Sequence, residues 1–528
     1  MDTDVLIVGA GPTGLMLANQ LARRGVRSVI IDRHPGPSLQ TRALGVQART
    51  LEIYSQLGIV DRALALGKRG NGVQLWAQGR KAAHVPLGNT GSELTPYPYV
   101  LVLGQDDNER IMGERLRDFD QSVQWNTELV ALQSHADHVT ATLASAGGAT
   151  RDIDARWVAG CDGAHSAVRT LNGIAFEGAP YEHVFYVADV QASGNMVPDE
   201  INVFLWKESF HLFFPMRGDG HWRIVGILPP ALRGRDEVTF DQVLPSLLDE
   251  TGLDLSVAEC TWFSSYRIHH RRAARFRSAR CFLLGDAAHI HSPVGAQGMN
   301  TGLQDAYNLA WKLALVVKEQ AAESLLDSYE GERVPVATRL LETTDRAFRL
   351  IISDNPLAGV LRTQVLARVA AQAMRRKRIQ EFAFRTVSQI GIRYRDSDLS
   401  VSTTRLASPS PQAGDRFPWL RLRLQADGPV EDMFQSLDDL HFHVLLFGQP
   451  APGDGAAGFG GLLRIHGIPD NAHNQAELAR AGIPGRSFFL LRPDGYIGLC
   501  GVELEVADVV AYARTQLGLS VAVPEIPG

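Results

Sequence analysis

Four consecutive apolar residues, Val5 to Val8, predict a short strand buried on both faces. Gly9-Ala10-Gly11-Pro12-Thr13-Gly14 follows at once. Leu15, Leu17, Ala18, Leu21 and Ala22 then recur at helical spacing, up to a stop at Gly25. A second strand, Ser28 to Ile31, ends in Asp32. Much later, the run Cys281 to Leu284 predicts another strand, ending in the turn Gly285-Asp286. Between these elements the pattern shortens to strand-like runs, Ile201 to Trp206, His211 to Pro215 and Trp222 to Ile227, which read as an antiparallel sheet. A long helical region follows to about Gln389. From about Ser400, Ser408-Pro409-Ser410-Pro411 and Ala413-Gly414-Asp415-Arg416 read as a linker, and the remainder as strand–helix–strand.

Strand, G-x-G-x-x-G, helix, strand and acid form a complete dinucleotide-binding unit. Gly9 permits the tight turn, Gly11 lets backbone approach a pyrophosphate, and Gly14 lets the helix pack close to the sheet. The helix starting at Pro12 and Thr13 offers its unpaired N–H groups and the positive end of its dipole to phosphate. Asp32 stands where a carboxylate accepts from a ribose diol. Gly453-Asp454-Gly455-Ala456-Ala457-Gly458 fits the same spacing, but Pro450 and Pro452 precede it and more glycine follows, so it reads as a loop.

Composition narrows the field without naming a substrate. The chain has 528 residues, more than one core can serve, so two or three domains are expected. A formal net charge of −6 argues against a general nucleic-acid binder. The cysteines, Cys161, Cys260, Cys281 and Cys500, lie far apart and form no CxxC pair, which fits a reducing cytoplasmic setting. No apolar run is long enough to span a bilayer, and no secretory signal opens the sequence, so no membrane partner is expected. The histidine pairs His269-His270, His289-Ile290-His291 and His441-Phe442-His443 lack partners at ligand spacing, so no metal is expected.

Two further segments choose the dinucleotide: Gly160-Cys161-Asp162-Gly163-Ala164-His165-Ser166-Ala167-Val168-Arg169, and Gly285-Asp286 running through Pro293 and Gly298-Met299-Asn300 to Asp305-Ala306. With the N-terminal motif, they make the chain resemble the para-hydroxybenzoate-hydroxylase family of flavin monooxygenases (group A). Within that family it is most similar to the larger phenol, pentachlorophenol and polyketide hydroxylases. The resemblance covers roughly the first three-quarters of the chain. It implies an α/β and α+β fold: a Rossmann-type FAD-binding domain (1–71, 98–177 and 267–399), an inserted antiparallel-sheet substrate domain (72–97 and 178–266), and a redox-inactive thioredoxin-like domain (400–528).

The resemblance also assigns roles. Arg33 would line the adenosine, Arg42 would sit near the flavin and move with it, and Gln105 would contact the ribityl chain. Asp162 and Arg169 belong to a motif implicated in binding both FAD and NAD(P)H, and Asp286 would hold ribityl hydroxyls or water near the pyrophosphate. The helix opening at Gly298, Met299 and Asn300 would stabilise the anionic reduced ring.

The implied reaction uses FAD, NADPH or NADH, and O2 to hydroxylate an aromatic small molecule, phenolic or polyketide-like, through a flavin C4a-hydroperoxide. Baeyer–Villiger or epoxidising chemistry on a polycyclic substrate is the alternative, and a homodimer is a candidate assembly. Phe204, Trp206, Phe210, Phe213, Phe214 and Trp222 are candidate pocket residues, although sheet core is the preferred reading of any one alone. No catalytic base is identified by motif; His211, His221, Tyr181 and Tyr186 are the candidates.

Overall fold

In the computed structural model the first apolar run is the strand Thr3–Val8, buried at every residue. It lies parallel to Ser28–Ile31 on one side and to Thr150–Gly160 on the other, and the latter runs parallel to Cys281–Leu283. The structure describes residues 1–38, 43–77, 79–206, 209–235, 237–291, 297–352, 372, 376–452 and 459–520. Because the four strands run the same way, their carboxyl ends share one sheet edge. Gly9, Asp32, Cys161-Asp162 and Gly285-Asp286 therefore collect there, where open α/β sheets bind ligands. The helix Pro12–Arg23 makes the first crossover and packs on the long helix Gly298–Val317.

A second sheet of eight strands carries most of segments 72–97 and 178–266, with ends reaching Phe176 and Ala273. His289–Ile290 adds a short strand at its edge, joining the sheet to the Gly285-Asp286 turn. Its pairing is antiparallel except where Ile201–Leu205 meets Gly72–Ala77 in parallel, because the chain returns there from a distant segment. Side chains alternate across it as a strand requires. Trp76, Phe204, Phe213 and Trp222 form one cluster with Phe240, Val243 and Leu247 of the helix Phe240–Thr251. Leu212, Phe214 and Val225 occupy the opposite face, toward the first sheet.

The C-terminal sheet has the order Val401–Ser402, Ile497–Gly501, Ser487–Leu491, Phe442–Phe447, Leu463–Ile468. Phe442–Phe447 runs parallel to Leu463–Ile468 and antiparallel to Ser487–Leu491, with helices Ala472–Ala481 and Val506–Thr515 alongside in the chain. The second glycine-rich match, 453–458, lies outside the described residues. No helix of the described residues is long and apolar enough to cross a membrane.

Candidate active site

The Gly9–Gly14 turn shows a separate physical demand at each glycine. Gly9 has φ of 102°, and a Cβ there would stand 2.4 Å from the Cys161 carbonyl oxygen. A Cβ on Gly14 would stand 1.9 Å from the Gly9 oxygen, so the helix could not seat against the strand. A Cβ on Gly11 would meet no protein atom within 4 Å; the space it would enter is cavity. The helix begins with Pro12 after Gly11, and no side chain caps it. Its first-turn N–H groups are thus directed to whatever occupies the turn.

Asp32 is already engaged with the backbone. Its Oδ2 accepts from Ala10 N–H at 2.7 Å, and its Oδ1 from His34 N–H at 2.9 Å. These bonds fix the carboxylate at the cavity edge, beside Arg33. Gln105 opens the helix Gln105–Arg117 and donates to Glu109 Oε1 at 2.9 Å, while Glu109 Oε2 accepts from Ser38 N–H at 2.9 Å. Glu109 also lines the cavity, and its place one helical turn after Gln105 is the sequence signal for it. Burial raises its pKa.

Asp162 Oδ2 accepts from Ala167 N–H at 2.7 Å and Val168 N–H at 3.1 Å, holding the Asp162–Val168 turn together. Its other oxygen, Oδ1, is buried with no hydrogen-bond partner among the described residues, and burial raises the carboxyl pKa. Arg169 does not reach the cavity lining. Its guanidinium donates to the carbonyls of Ala287 at 2.8 Å and Ala164 at 2.7 Å, strapping the two motifs together, and lies over the Phe176 ring. Asn300 is likewise spent on protein: Oδ1 accepts from Gln47 N–H and the Thr50 hydroxyl, and Nδ2 donates to the Gly45 carbonyl. Both side chains shape the site from behind its wall. Arg42 and Pro293 lie outside the described residues.

The Gly285-Asp286 turn is anchored by a buried acid that the motif reading left unassigned. Asp305 Oδ2 accepts from Gly285 N–H at 3.0 Å and pairs with His289 Nε2 at 2.8 Å, and its Oδ1 accepts from Arg333 Nε at 2.6 Å. Burial alone would raise the Asp305 pKa, but Arg333 and His289 outweigh it and hold the carboxyl below the usual range. Asp286 is thereby presented to the cavity, exposed, facing the same space as Gly298 and Met299.

The cavity has a volume of about 1260 Å³ and runs from the Gly9–Thr13 turn to the face of the eight-stranded sheet. Of the aromatic candidates only Phe214 lines it. Phe204, Phe213 and Trp222 belong to the opposite face, and Phe210 packs with Phe185 and Ile227; Trp206 is half-buried at the end of its strand and absent from the lining. The reason is strand parity: Leu212 and Phe214 point one way, Phe213 the other.

None of the four candidate bases lines the cavity. His211 and Tyr186 share a hydrogen bond on the far face, His221 is exposed at a strand start, and Tyr181 packs against the His270 ring. The polar side chains that line it from the eight-stranded sheet include Arg223, Tyr266, Arg267 and His269; His165 and His291 line it as well. Arg223 is held bidentately by Asp189 and lies over Trp262. Burial, reinforced by Arg271, His165 and Arg267, lowers the His269 pKa, so its imidazole is neutral at pH 7.

A glycine turn open only at Gly11, an acid at the cavity edge, a buried Asp162 oxygen without a partner among the described residues and a long cavity all fit FAD, as in an FAD-binding oxidoreductase. A model of the FAD binding domain family matches residues 2–344. The chain is 34% identical over 524 residues to the 6-methylpretetramide 4-monooxygenase of Streptomyces rimosus, covering 94% of this chain and 90% of that protein. It is 35% identical over 425 residues to the pentachlorophenol 4-monooxygenase of Sphingobium chlorophenolicum, covering 79% and 76%. Among solved structures, the OxyS anhydrotetracycline hydroxylase from Streptomyces rimosus aligns with a TM-score of 0.78 at 28% identity, over 99% of this chain and 100% of that one. The chain belongs to the FAD binding domain family and is a flavin-dependent monooxygenase.

Proposed function

We propose that this monooxygenase hydroxylates a phenolic or polyketide-like aromatic molecule, with NAD(P)H as reductant. The carrying observation is the cavity: about 1260 Å³, larger than the roughly 300–1,000 Å³ of an ordinary small-molecule site. It has room for FAD at the parallel-sheet edge and for an aromatic substrate against Leu212, Phe214 and Val225. The relatives support the reading, being named for 6-methylpretetramide, pentachlorophenol and anhydrotetracycline.

The Gly9–Gly14 turn and the following helix would hold the FAD pyrophosphate, and Asp32 its ribose. Asp286, Gly298 and Met299 would face the remainder. Bound FAD would supply the redox chemistry between NAD(P)H and O2. Leu212, Phe214 and Val225 exclude water from the reacting region. His269, neutral and on the cavity wall, is proposed to accept the phenol proton, which enriches the ring for attack. Tyr266 and the Arg223–Asp189 pair would orient the ring oxygens.

The domain division given above is part of this proposal. The C-terminal strand order and directions support a thioredoxin-like unit, and Cys500, buried with its pKa raised by burial, gives it no reactive thiol. A cytosolic setting is also proposed, in keeping with four free cysteines. The test is a panel of simple phenols and polycyclic aromatics, scored for stimulated NAD(P)H oxidation and product mass. Stimulation with a gain of one oxygen on an aromatic ring is expected. Ring expansion to a lactone, or stimulation by non-aromatic ketones alone, would overturn the reading.

A further inference from the structure

Residues 400–520 meet the rest of the chain through charged groups shut away from water. The Arg492 guanidinium donates to both carboxylate oxygens of Glu332 and both of Asp494. Lys312 Nζ donates to Glu332 Oε2 at 2.8 Å and to Asn308 Oδ1 at 2.9 Å. Asp494 also grips two helices. Its Oδ2 accepts from the Trp311 indole N–H at 3.1 Å and from Asn308 at 3.4 Å, both on Gly298–Val317. Its backbone carbonyl accepts from Arg49 at 2.6 Å, on Ala48–Leu57.

The same two helices meet again at the cavity. Asn300 Oδ1 accepts from Gln47 N–H at 2.9 Å and the Thr50 hydroxyl at 2.7 Å, while Nδ2 donates to the Gly45 carbonyl at 2.7 Å. Gly45, Gly298 and Met299 line the cavity. Asp494, the two helices and Asn300 therefore form a closed circuit, with the C-terminal part at one end and the cavity floor at the other. Attachment alone would not need buried charge, since apolar packing of similar volume serves as well. The Glu332 and Asp494 carboxylates are each met on both oxygens, and buried carboxylates paired in this way favour one relative placement of their partners. In a site where displacements of about 1 Å change rates, that placement matters.

We propose that Asp494, acting through Trp311, Asn308 and Arg49, is a positioning residue that sets the cavity floor at Gly45, Gly298 and Met299. The C-terminal part thus contributes to oxygen transfer without touching substrate or cofactor. The link to oxygen transfer rests on the monooxygenase reading above.

The experiment compares full-length Asp494→Asn and Trp311→Phe with wild type. Trp311→Phe removes one donor while keeping a ring against Phe442. Leu445→Val serves as a control that loosens the C-terminal core away from both helices. Hydrogen exchange of the 43–50 amides, measured without and with added FAD, is expected to rise about tenfold in both variants and to stay unchanged in the control. In the FAD-loaded proteins the fraction of NAD(P)H oxidation that yields hydroxylated product should fall about threefold, with substrate KM within about twofold of wild type. Exchange at 43–50 unchanged in both variants, or raised equally by Leu445→Val, would overturn the proposal. If wild type hydroxylates no aromatic compound, the functional reading fails, while the exchange data still decide whether Asp494 sets the floor.

Discussion

Tyr186 and His211 share a hydrogen bond of 2.9 Å on the face of the eight-stranded sheet that turns away from the cavity. His211 Nε2 continues to Glu250 at 2.9 Å, tying the sheet to the helix Phe240–Thr251. Burial pushes the Tyr186 phenol well up, so it stays protonated. Neither residue lines the cavity. Tyr186→Phe and His211→Gln should each cost about 1–3 kcal/mol of stability by leaving buried partners unmet. Neither should change the shape of the pH–rate profile. His269→Gln should instead remove the acid limb of kcat/KM, because only the neutral imidazole accepts a proton and wild-type activity falls as pH drops through its lowered pKa. Steady-state kinetics from pH 5 to 9, a window of about two units on either side of 7, give the comparison.

Gly11 and Gly14 should fail in different ways. Gly11→Val places its side chain where no protein atom lies within 4 Å, so the apo protein should melt at the wild-type temperature while FAD affinity falls at least about tenfold. Gly14→Ala drives a methyl onto the Gly9 oxygen and should lower stability itself. Thermal denaturation with and without FAD separates the two.

Phe213 and Phe214 are neighbours on opposite faces. Phe213→Ala should destabilise by about 3–5 kcal/mol and leave KM for the aromatic substrate unchanged. Phe214→Leu should keep stability within about 1.5 kcal/mol and raise that KM. Denaturant titration beside substrate kinetics makes the test.

Acid should destabilise the protein in two stages. Burial, with smaller contributions from neighbouring charges, lowers the His443 pKa from 6.5 to about 4. The unfolded chain therefore takes up a proton there before the folded one does, and about 3 kcal/mol is lost as pH falls across that interval. Glu332, although burial opposes it, is held below its ordinary 4.5 by Arg492 and Lys312. Its stabilising share is complete above 4.5 and disappears as pH falls below that value. His443→Phe should flatten the first stage and Glu332→Gln the second, in melting temperatures recorded from pH 7 down to about 3.

The sequence displayed the parallel-sheet edge because that signal is local. Strand, glycine turn, helix and Asp32 lie within 32 consecutive positions. Side-chain facing in the second sheet was not legible. Phe210–Pro215 is apolar at nearly every position and buried on both faces, so no polar alternation marks the cavity side. Arg169 and Asn300 stand at motif positions yet bond to protein, which a motif cannot reveal. The Glu332–Arg492 pair joins residues 160 positions apart, and Arg416–Glu52 joins residues 364 apart; such pairs carry no sequence signal until the chain is folded.

The most direct test of the central claim is turnover under isotopically labelled O2 with a substrate that stimulates NAD(P)H oxidation. The FAD-loaded enzyme should place one labelled oxygen atom on the aromatic ring of the product, and Gly11→Val freed of FAD and assayed without added FAD should place none. A hydroxyl oxygen derived from water, or equal product from a flavin-free preparation, would contradict the account.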